Sequence, residues 1–92
     1  MKNCIVIEIT NNDNEKIVKQ LDLNDWYDQG IVEIDDEKYR KEHKIVNIKG
    51  IQYDQNGRVE VSWKTYYDNL GRLIKTEEYD ENGNLIKSEE IS

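Results

Sequence analysis

The C-terminal half of the chain repeats one six-residue phrase, which reads YDQNGR at residues 53–58, YDNLGR at 67–72 and YDENGN at 79–84. An Asp followed three residues later by Gly is typical of a type I turn, because the Asp side chain accepts hydrogen bonds from nearby backbone amides and Gly tolerates a positive φ. In a hairpin, this turn forms a G1 bulge whose twist suits the flanking strands. Each phrase therefore predicts the end of one strand, a reversal and the start of the next.

Three such turns predict four strands, at residues 45–53, 58–67, 72–79 and 84–91. Because the connections are short, neighbouring strands must be antiparallel, and the simplest arrangement is a meander. The second strand alternates most clearly. Its two faces carry Val59, Val61, Trp63, Thr65 and Tyr67 on one side and Arg58, Glu60, Ser62, Lys64 and Tyr66 on the other. We therefore expect Trp63 to lie in the core, and the weakly apolar last two strands to lie at an edge of the sheet.

The three phrases resemble the YD repeats of Rhs-type proteins and, more loosely, the short hairpin repeats of MORN-like proteins. The resemblance covers residues 53–92 and rests on the turn residues. Rhs repeats are longer units that build large shells in very long chains, whereas this chain has 92 residues. The resemblance implies a shared hairpin architecture. YD-type repeats near toxin systems would also be a suggestive context for an antitoxin.

Length and composition favour one small β domain that spans residues 1–92 and is too small to enclose a large cavity. The hydrophobic fraction of 36% is mostly Ile and Val, with no Ala, Phe or Pro, which favours strands over helices. The same composition fits a low-GC bacterium or one of its phages. The single Cys4 cannot form an internal disulfide, and no signal peptide or long apolar run is visible, so we expect a cytoplasmic protein without a membrane anchor.

The N-terminal part is predicted to add further strands. Residues 4–10 alternate as a strand, residues 15–23 favour a second strand with a helix left open, and residues 24–30 look like a short helical turn. A strand at 31–35, a tight turn at 36–37 and a return strand or irregular link at 38–45 would follow. The predicted fold is mainly β, a small antiparallel meander sheet with one short helical segment, with α+β as the alternative.

The charge of the chain is unevenly placed. The formal net charge is −7, and residues 1–37 hold ten acids against three lysines, whereas residues 38–57 carry a net charge of +3. Nucleic acids and anionic membranes are bound through cationic surface, so direct binding to either is not expected. A protein partner with a basic surface is the expectation that this charge favours.

Chemistry-bearing residues are sparse. The single His43 lies in a basic run, and the three serines have no spacing that suggests a catalytic triad. No CxxC or HxxxH spacing suggests zinc, and residues 80–84 resemble a calcium loop only as far as a hairpin turn does. We therefore expect no catalysis, no metal and no cofactor.

The candidate binding site is an acidic patch with two aromatic residues. It comprises Asp22, Asp25, Trp26, Tyr27, Asp28, Glu33, Asp35, Asp36 and Glu37. Two interpretations stay open, since the aromatic residues could fill the core beneath a merely solubilising surface, or anchor an interface with a basic partner. The predicted function is a non-catalytic acidic binding protein that inhibits a nucleic-acid-handling or other basic protein, of the phage counter-defence type. The alternatives are an antitoxin or immunity protein with one toxin partner, and a self-assembling structural hairpin protein, which leaves a homo-oligomer open.

Overall fold

The computed structural model describes residues 4–22 and 34–91, which form a six-stranded sheet with a short helix. The strands are β1 (Cys4–Asn11), β2 (Lys16–Asp22), β3 (Ile45–Tyr53), β4 (Val59–Tyr67), β5 (Leu73–Tyr79) and β6 (Leu85–Glu90), and the helix is α1 (Glu37–Glu42). The order across the sheet is β2-β1-β3-β4-β5-β6, and every neighbouring pair is antiparallel. The predicted fold class is therefore confirmed, and β3 to β6 form the predicted meander.

All three repeated phrases form the predicted turns. In the first, the amide of Gly57 donates to the carbonyl of Asp54 at 3.0 Å. The Asp54 carboxylate accepts from the amides of Asn56 at 2.8 Å and Arg58 at 2.9 Å. The other two turns repeat this pattern, with positive φ angles of 81°, 78° and 82° at Gly57, Gly71 and Gly83. A one-residue register shift beside each turn marks a bulge.

The N-terminal hairpin resolves the choice that the sequence left open, because residues 16–22 form a strand. The connecting turn is held by Asn11, whose side-chain oxygen accepts from the amides of Asp13 at 3.0 Å and Glu15 at 2.9 Å. β1 then pairs with β2 on one side and β3 on the other, so it lies inside the sheet. Cys4 is a half-buried residue of β1.

The prediction for residues 36–45 was wrong, because residues 37–42 form helix α1 instead of a turn and a return strand. Asp36 caps the helix by accepting from the amide of Lys38 at 3.2 Å. An acid in the first turn and basic residues in the last match the helix dipole. Ile34 and Asp35, predicted at the end of a strand, lie outside any strand. The helical turn predicted at 24–30 and the rest of the 31–35 strand lie outside the described residues.

The core lies on one face of the sheet, which we call the core face. Among the described residues, it contains Ile5, Ile7, Ile9, Leu21, Ile34, Ile45 and Ile48, with Tyr39, Trp63 and Tyr67 packed against it. Ile7 is opposite Gly50, and Gly50 is opposite Trp63. A Cβ atom at Gly50 would overlap the Trp63 indole, so the missing side chain is what lets the ring lie across β3. The prediction of a core position for Trp63 is confirmed.

The opposite surface, which we call the outer face, is mainly polar at its centre. Its central row runs across four strands through Glu8, Lys49, Lys64 and Glu77. The next row contains Thr10, Asn47, Tyr66 and Lys75. No helix in the described part of the chain is long and apolar enough to cross a membrane.

Candidate functional site

The described residues of the acidic patch are concentrated at the start of α1. Asp35, Asp36 and Glu37 are consecutive and exposed there. Asp22 is the last residue of β2, where it pairs with Cys4. The remaining members, Asp25, Trp26, Tyr27, Asp28 and Glu33, lie outside the described residues. The structure therefore brings three of the nine candidates together and leaves the aromatic anchors a prediction.

The three carboxylates lie where a helix favours negative charge. The N-terminal end of a helix carries unsatisfied amide groups and a partial positive charge, which stabilises nearby acids. Asp36 uses one oxygen to cap the amide of Lys38. Asp35 and Glu37 flank it with exposed side chains. This end of α1 can therefore display negative charge to a partner without a loss of helix stability.

Arg40 ties α1 to the rest of the domain. Its side chain is buried, its Nε donates to the carbonyl of Gly71 at 2.9 Å, and its Nη1 donates to the carbonyl of Ile34 at 2.9 Å. The guanidinium carbon lies 4.4 Å from the centroid of the Tyr67 ring, a cation–π distance. The basic run at residues 38–44 is typical of exposed surface, so the burial of Arg40 could not be predicted from the sequence.

A turn of the meander packs directly against the backbone of α1. A Cβ atom at Gly71 would overlap the carbonyl oxygen of Glu37 and lie 2.8 Å from the amide nitrogen of Lys41. The β4–β5 turn can approach α1 this closely only because its fourth residue has no side chain. Together with Arg40, this contact fixes the end of α1 on which the acidic residues lie.

The outer face contains a hydrogen-bonded cluster that the sequence did not reveal. The hydroxyls of Tyr66 and Tyr79 both donate to Oε1 of Glu77, at 2.6 Å and 3.0 Å. Nζ of Lys75 lies 3.6 Å from Oε2 of Glu77. The side chain of Glu77 is only 13% exposed. The next residue, Glu78, is exposed on the other face, because successive strand residues face opposite ways.

These bonds change the ionisation of the cluster. The hydrogen bond from Tyr66, followed by that from Tyr79, lowers the pKa of Glu77 below its usual value. The same bond to Glu77, with desolvation second, raises the pKa of Tyr66 to about 12. The pKa of Tyr79 is raised by desolvation first and by Glu77 second. Glu77 is thus a stable carboxylate whose oxygens are occupied, which suits a structural role and not that of a general base.

Lysines outnumber acids at the centre of the outer face, where Lys49, Lys64 and Lys75 lie beside Glu8 and Glu77, in contrast to the net negative charge of the chain. Nζ of Lys64 lies 5.1 Å from the centroid of the Tyr66 ring, and Nζ of Lys75 lies 5.6 Å from the same centroid. Lys49 is directly opposite Lys64, a like-charge pair that is unfavourable in a sheet. Among the described residues, neither Lys49 nor Lys64 forms an ion pair. A partner with a basic surface would be repelled by this region.

The lone histidine borders a shallow cleft of about 240 Å³ between α1 and the N-terminal hairpin. The His43 and Tyr39 rings stack with their centroids 4.1 Å apart. The residues that line the cleft are Ile9, Asn11, Glu15, Lys16, Ile17, Lys19, Tyr39, His43 and Ile45, and they include no Ser or Cys that could serve as a nucleophile. His43 is exposed, like the charged residues beside it.

The residues described by the structure contain no group of three or more His, Cys, Asp and Glu side chains that could hold a metal ion. At the segment that resembles a calcium loop, Asp80 accepts from the amides of Asn82 and Asn84, each at 2.9 Å. The amide of Asn84 is the main reason that the pKa of Asp80 is lowered. The turn geometry alone therefore accounts for these residue types.

Comparison of the chain with protein-family models, curated proteins and solved structures gives no match. The resemblance to YD and MORN-like repeats stays a prediction.

Proposed function

We propose that the protein acts without catalysis, as a small acidic inhibitor that binds a nucleic-acid-handling or other basic protein. The observation that supports this most is the exposure of Asp35, Asp36 and Glu37 at a helix end that Arg40 and Gly71 hold against the sheet. Carboxylates displayed on a rigid domain can imitate the phosphates of a nucleic acid and steer association with a cationic groove.

The contrast between the two sides of the sheet supports a definite orientation for the partner. The exposed acids belong to the α1 side, since Tyr39 of α1 packs against the core face. Lys49, Lys64 and Lys75 lie on the outer face. A basic partner would therefore approach α1. Trp26 and Tyr27, which lie outside the described residues, are the proposed aromatic anchors of the interface.

The first prediction concerns these carboxylates. Replacing Asp25, Asp28, Asp35 and Asp36 together with Asn should weaken partner binding at least about tenfold, because attraction to the basic surface is lost. The melting temperature should stay unchanged, since Asn at position 36 still offers an oxygen to cap α1. Calorimetric titration with the partner and thermal unfolding of the free variant measure the two effects.

A matched control removes the same number of charges elsewhere. Asp13, Glu60, Glu78 and Glu81 are all exposed and lie outside the acidic patch. Converting them to their amides should leave the affinity within about twofold at physiological salt, because distant exposed charges are largely screened. If both quadruple variants lose affinity equally, only the net charge matters. If the variant of Asp25, Asp28, Asp35 and Asp36 keeps its affinity, the acidic interface is refuted.

The partner itself can be found by affinity capture from the lysate of a low-GC bacterium, with elution in rising salt. A basic nucleic-acid-binding protein that elutes in a narrow salt step, and competes with DNA or RNA, would support inhibition by phosphate mimicry. A single partner that stays bound at high salt would favour an apolar interface instead, and with it the antitoxin or immunity alternative.

A further inference from the structure

Strand β6 forms one edge of the sheet, and all six of its residues are exposed. Leu85 is 53% exposed and Ile86 is 59% exposed, and Ile91, which follows the strand, is 40% exposed. An edge strand presents a row of N–H and C=O groups that another strand can pair with, and apolar side chains on it favour such pairing.

The backbone of β6 has a defined orientation at this edge. The amide of Ile91 donates to the carbonyl of Ile74 at 2.8 Å, so residue 91 directs its backbone groups towards β5. The direction alternates along an antiparallel strand, so Lys87 and Glu89 also bond to β5, whereas Ser88 and Glu90 direct theirs to the free edge. An added strand would hydrogen-bond at these two residues.

Symmetry restricts how two β6 strands can pair. A two-fold axis normal to the sheet makes the two strands antiparallel. Because opposite residues share a face, the axis must lie midway between one residue and the same residue of the other copy. An axis at Lys87 places two lysines opposite each other, and an axis at Glu89 places two glutamates opposite each other, and both arrangements are repulsive. An axis at Ser88 instead places Lys87 of each copy opposite Glu89 of the other.

We propose that the protein forms a two-fold dimer in which β6 pairs with β6 of a second copy, centred on Ser88. Two Lys87–Glu89 pairs form on the core side of the joined sheet. A single short strand buries an area at the low end of specific interfaces, so the dimer dissociates on dilution. The contact is isologous and closes, so no fibre forms.

Charge reversal tests the register. Sedimentation equilibrium of the full chain should show a reversible monomer–dimer equilibrium. Lys87→Glu and Glu89→Lys should each raise the dimer dissociation constant about tenfold, because each puts two like-charge pairs across the axis. The double variant Lys87→Glu/Glu89→Lys should restore the wild-type constant. The control Glu81→Lys changes the charge by the same amount in the neighbouring turn and should have no effect.

A second measurement is independent of charge. In a Cys4→Ser background, Ser88→Cys should form an intermolecular disulfide under mild oxidation faster than Glu90→Cys, since the axis brings the two Ser88 Cα atoms to about 5.5 Å. Circular dichroism checks that each variant is folded. A strict monomer at every concentration would overturn the proposal and leave this edge to a foreign strand. A dimer whose single variants are not rescued by the double variant would overturn the register.

Discussion

The hydrogen bond between Tyr66 and Glu77 couples two ionisable groups on the outer face. Because the phenol donates to the carboxylate, the bond favours the neutral form of Tyr66 and the charged form of Glu77. The pKa of Tyr66 is raised from 10.0 to about 12. A group whose pKa is higher in the folded state stabilises the fold below its unfolded pKa and loses that contribution as the pH rises through its folded pKa.

The Glu77→Gln variant should therefore behave differently from the wild type in alkali. Stability of the wild type should fall between pH 10 and pH 12 as Tyr66 ionises. Without the carboxylate, the pKa of Tyr66 should return towards 10.0, so that ultraviolet absorbance detects tyrosinate at lower pH and stability falls less steeply in that window. The control is Glu78→Gln, which alters the adjacent exposed acid and should leave both curves unchanged. Identical titrations for Glu77→Gln and the wild type would contradict the assigned bond.

Gly71 and Gly83 differ in a way that a pair of variants can separate. Both have a positive φ, of 78° and 82°, but Gly71 packs against α1 whereas Gly83 has open space around it. Gly83→Ala should cost about 1–2 kcal/mol for the left-handed backbone alone. Gly71→Ala should cost about 2–5 kcal/mol, because the collision with α1 is added. Urea unfolding measures both, and equal losses would show that the turn does not depend on its contact with α1.

The sequence could indicate little of this detail. Tyr66 is opposite Lys75 and Lys64 is opposite Glu77, so Tyr66 and Glu77 are diagonal neighbours, a relation that follows only once the register is known. Arg40 lies among charged residues, and its burial depends on carbonyl groups of distant segments, which no local pattern encodes.

At the scale of elements, the repeated turns combine backbone geometry with charge. The pKa values of Asp54, Asp68 and Asp80 are all lowered, chiefly by the amides of Arg58, Arg72 and Asn84 respectively. A group whose pKa is lower in the folded state stabilises the fold above its unfolded pKa, and this contribution is lost as the pH falls through the folded pKa. The three turns together should make the meander sensitive to acid.

Replacing Asp54, Asp68 and Asp80 with Asn tests this coupling. Asn keeps an oxygen that accepts the turn amides but cannot be protonated in this range, so the variant should lose less stability than the wild type as the pH falls below about 4. Urea unfolding at a series of acidic pH values measures the slope. The control, in which exposed Glu60, Glu78 and Glu81 are replaced by Gln, should retain the wild-type slope. If the stability of the Asn variant falls with decreasing pH as steeply as that of the wild type, the turns do not contribute to the acid sensitivity.

The elements differed in how far the sequence could predict them. The hairpins were predictable because four consecutive residues determine each turn, and β3 begins and ends where expected, at Ile45 and Tyr53. Helix α1 was missed because it has only six residues, too few for a helical period to emerge above its charged composition. Its cap at Asp36 was the available signal, and it was taken for a tight turn.

The whole molecule depends on a core that is concentrated in the N-terminal half of the sheet. Ile7, on the interior strand β1, is 1% exposed, whereas Ile17, on the edge strand β2, is 59% exposed. Ile7→Ala should therefore cost about 2–5 kcal/mol. Ile17→Ala, the same change at an exposed position, should cost no more than about 1 kcal/mol. Denaturant unfolding measures both, and similar losses would show that the core does not centre on β1.

The order of the strands lay beyond the sequence. Alternating apolar residues indicate which face of β1 is buried, but not which strand lies beside it. The placement of β1 between β2 and β3 follows from the collective burial of Ile5, Ile7 and Ile9 against partners far along the chain. Members 25–28 and 33 of the acidic patch lie outside the described residues, so most of the candidate site stays a prediction.

The position of β1 also determines how the chain reaches its folded state. The N-terminal hairpin and the hairpins of the meander pair strands that are close in the sequence. Pairing of β1 with β3, in contrast, places Ile9 opposite Ile48, 39 positions further along the chain. Closing so long a loop reduces the entropy of the chain before the contacts between β1 and β3 can stabilise the structure. We therefore expect the N-terminal hairpin and the meander to form separately and to join late. Until they join, β1 and β3 each have an unpaired, Ile-rich edge. That interval is when a newly made chain is most open to aggregation and proteolysis.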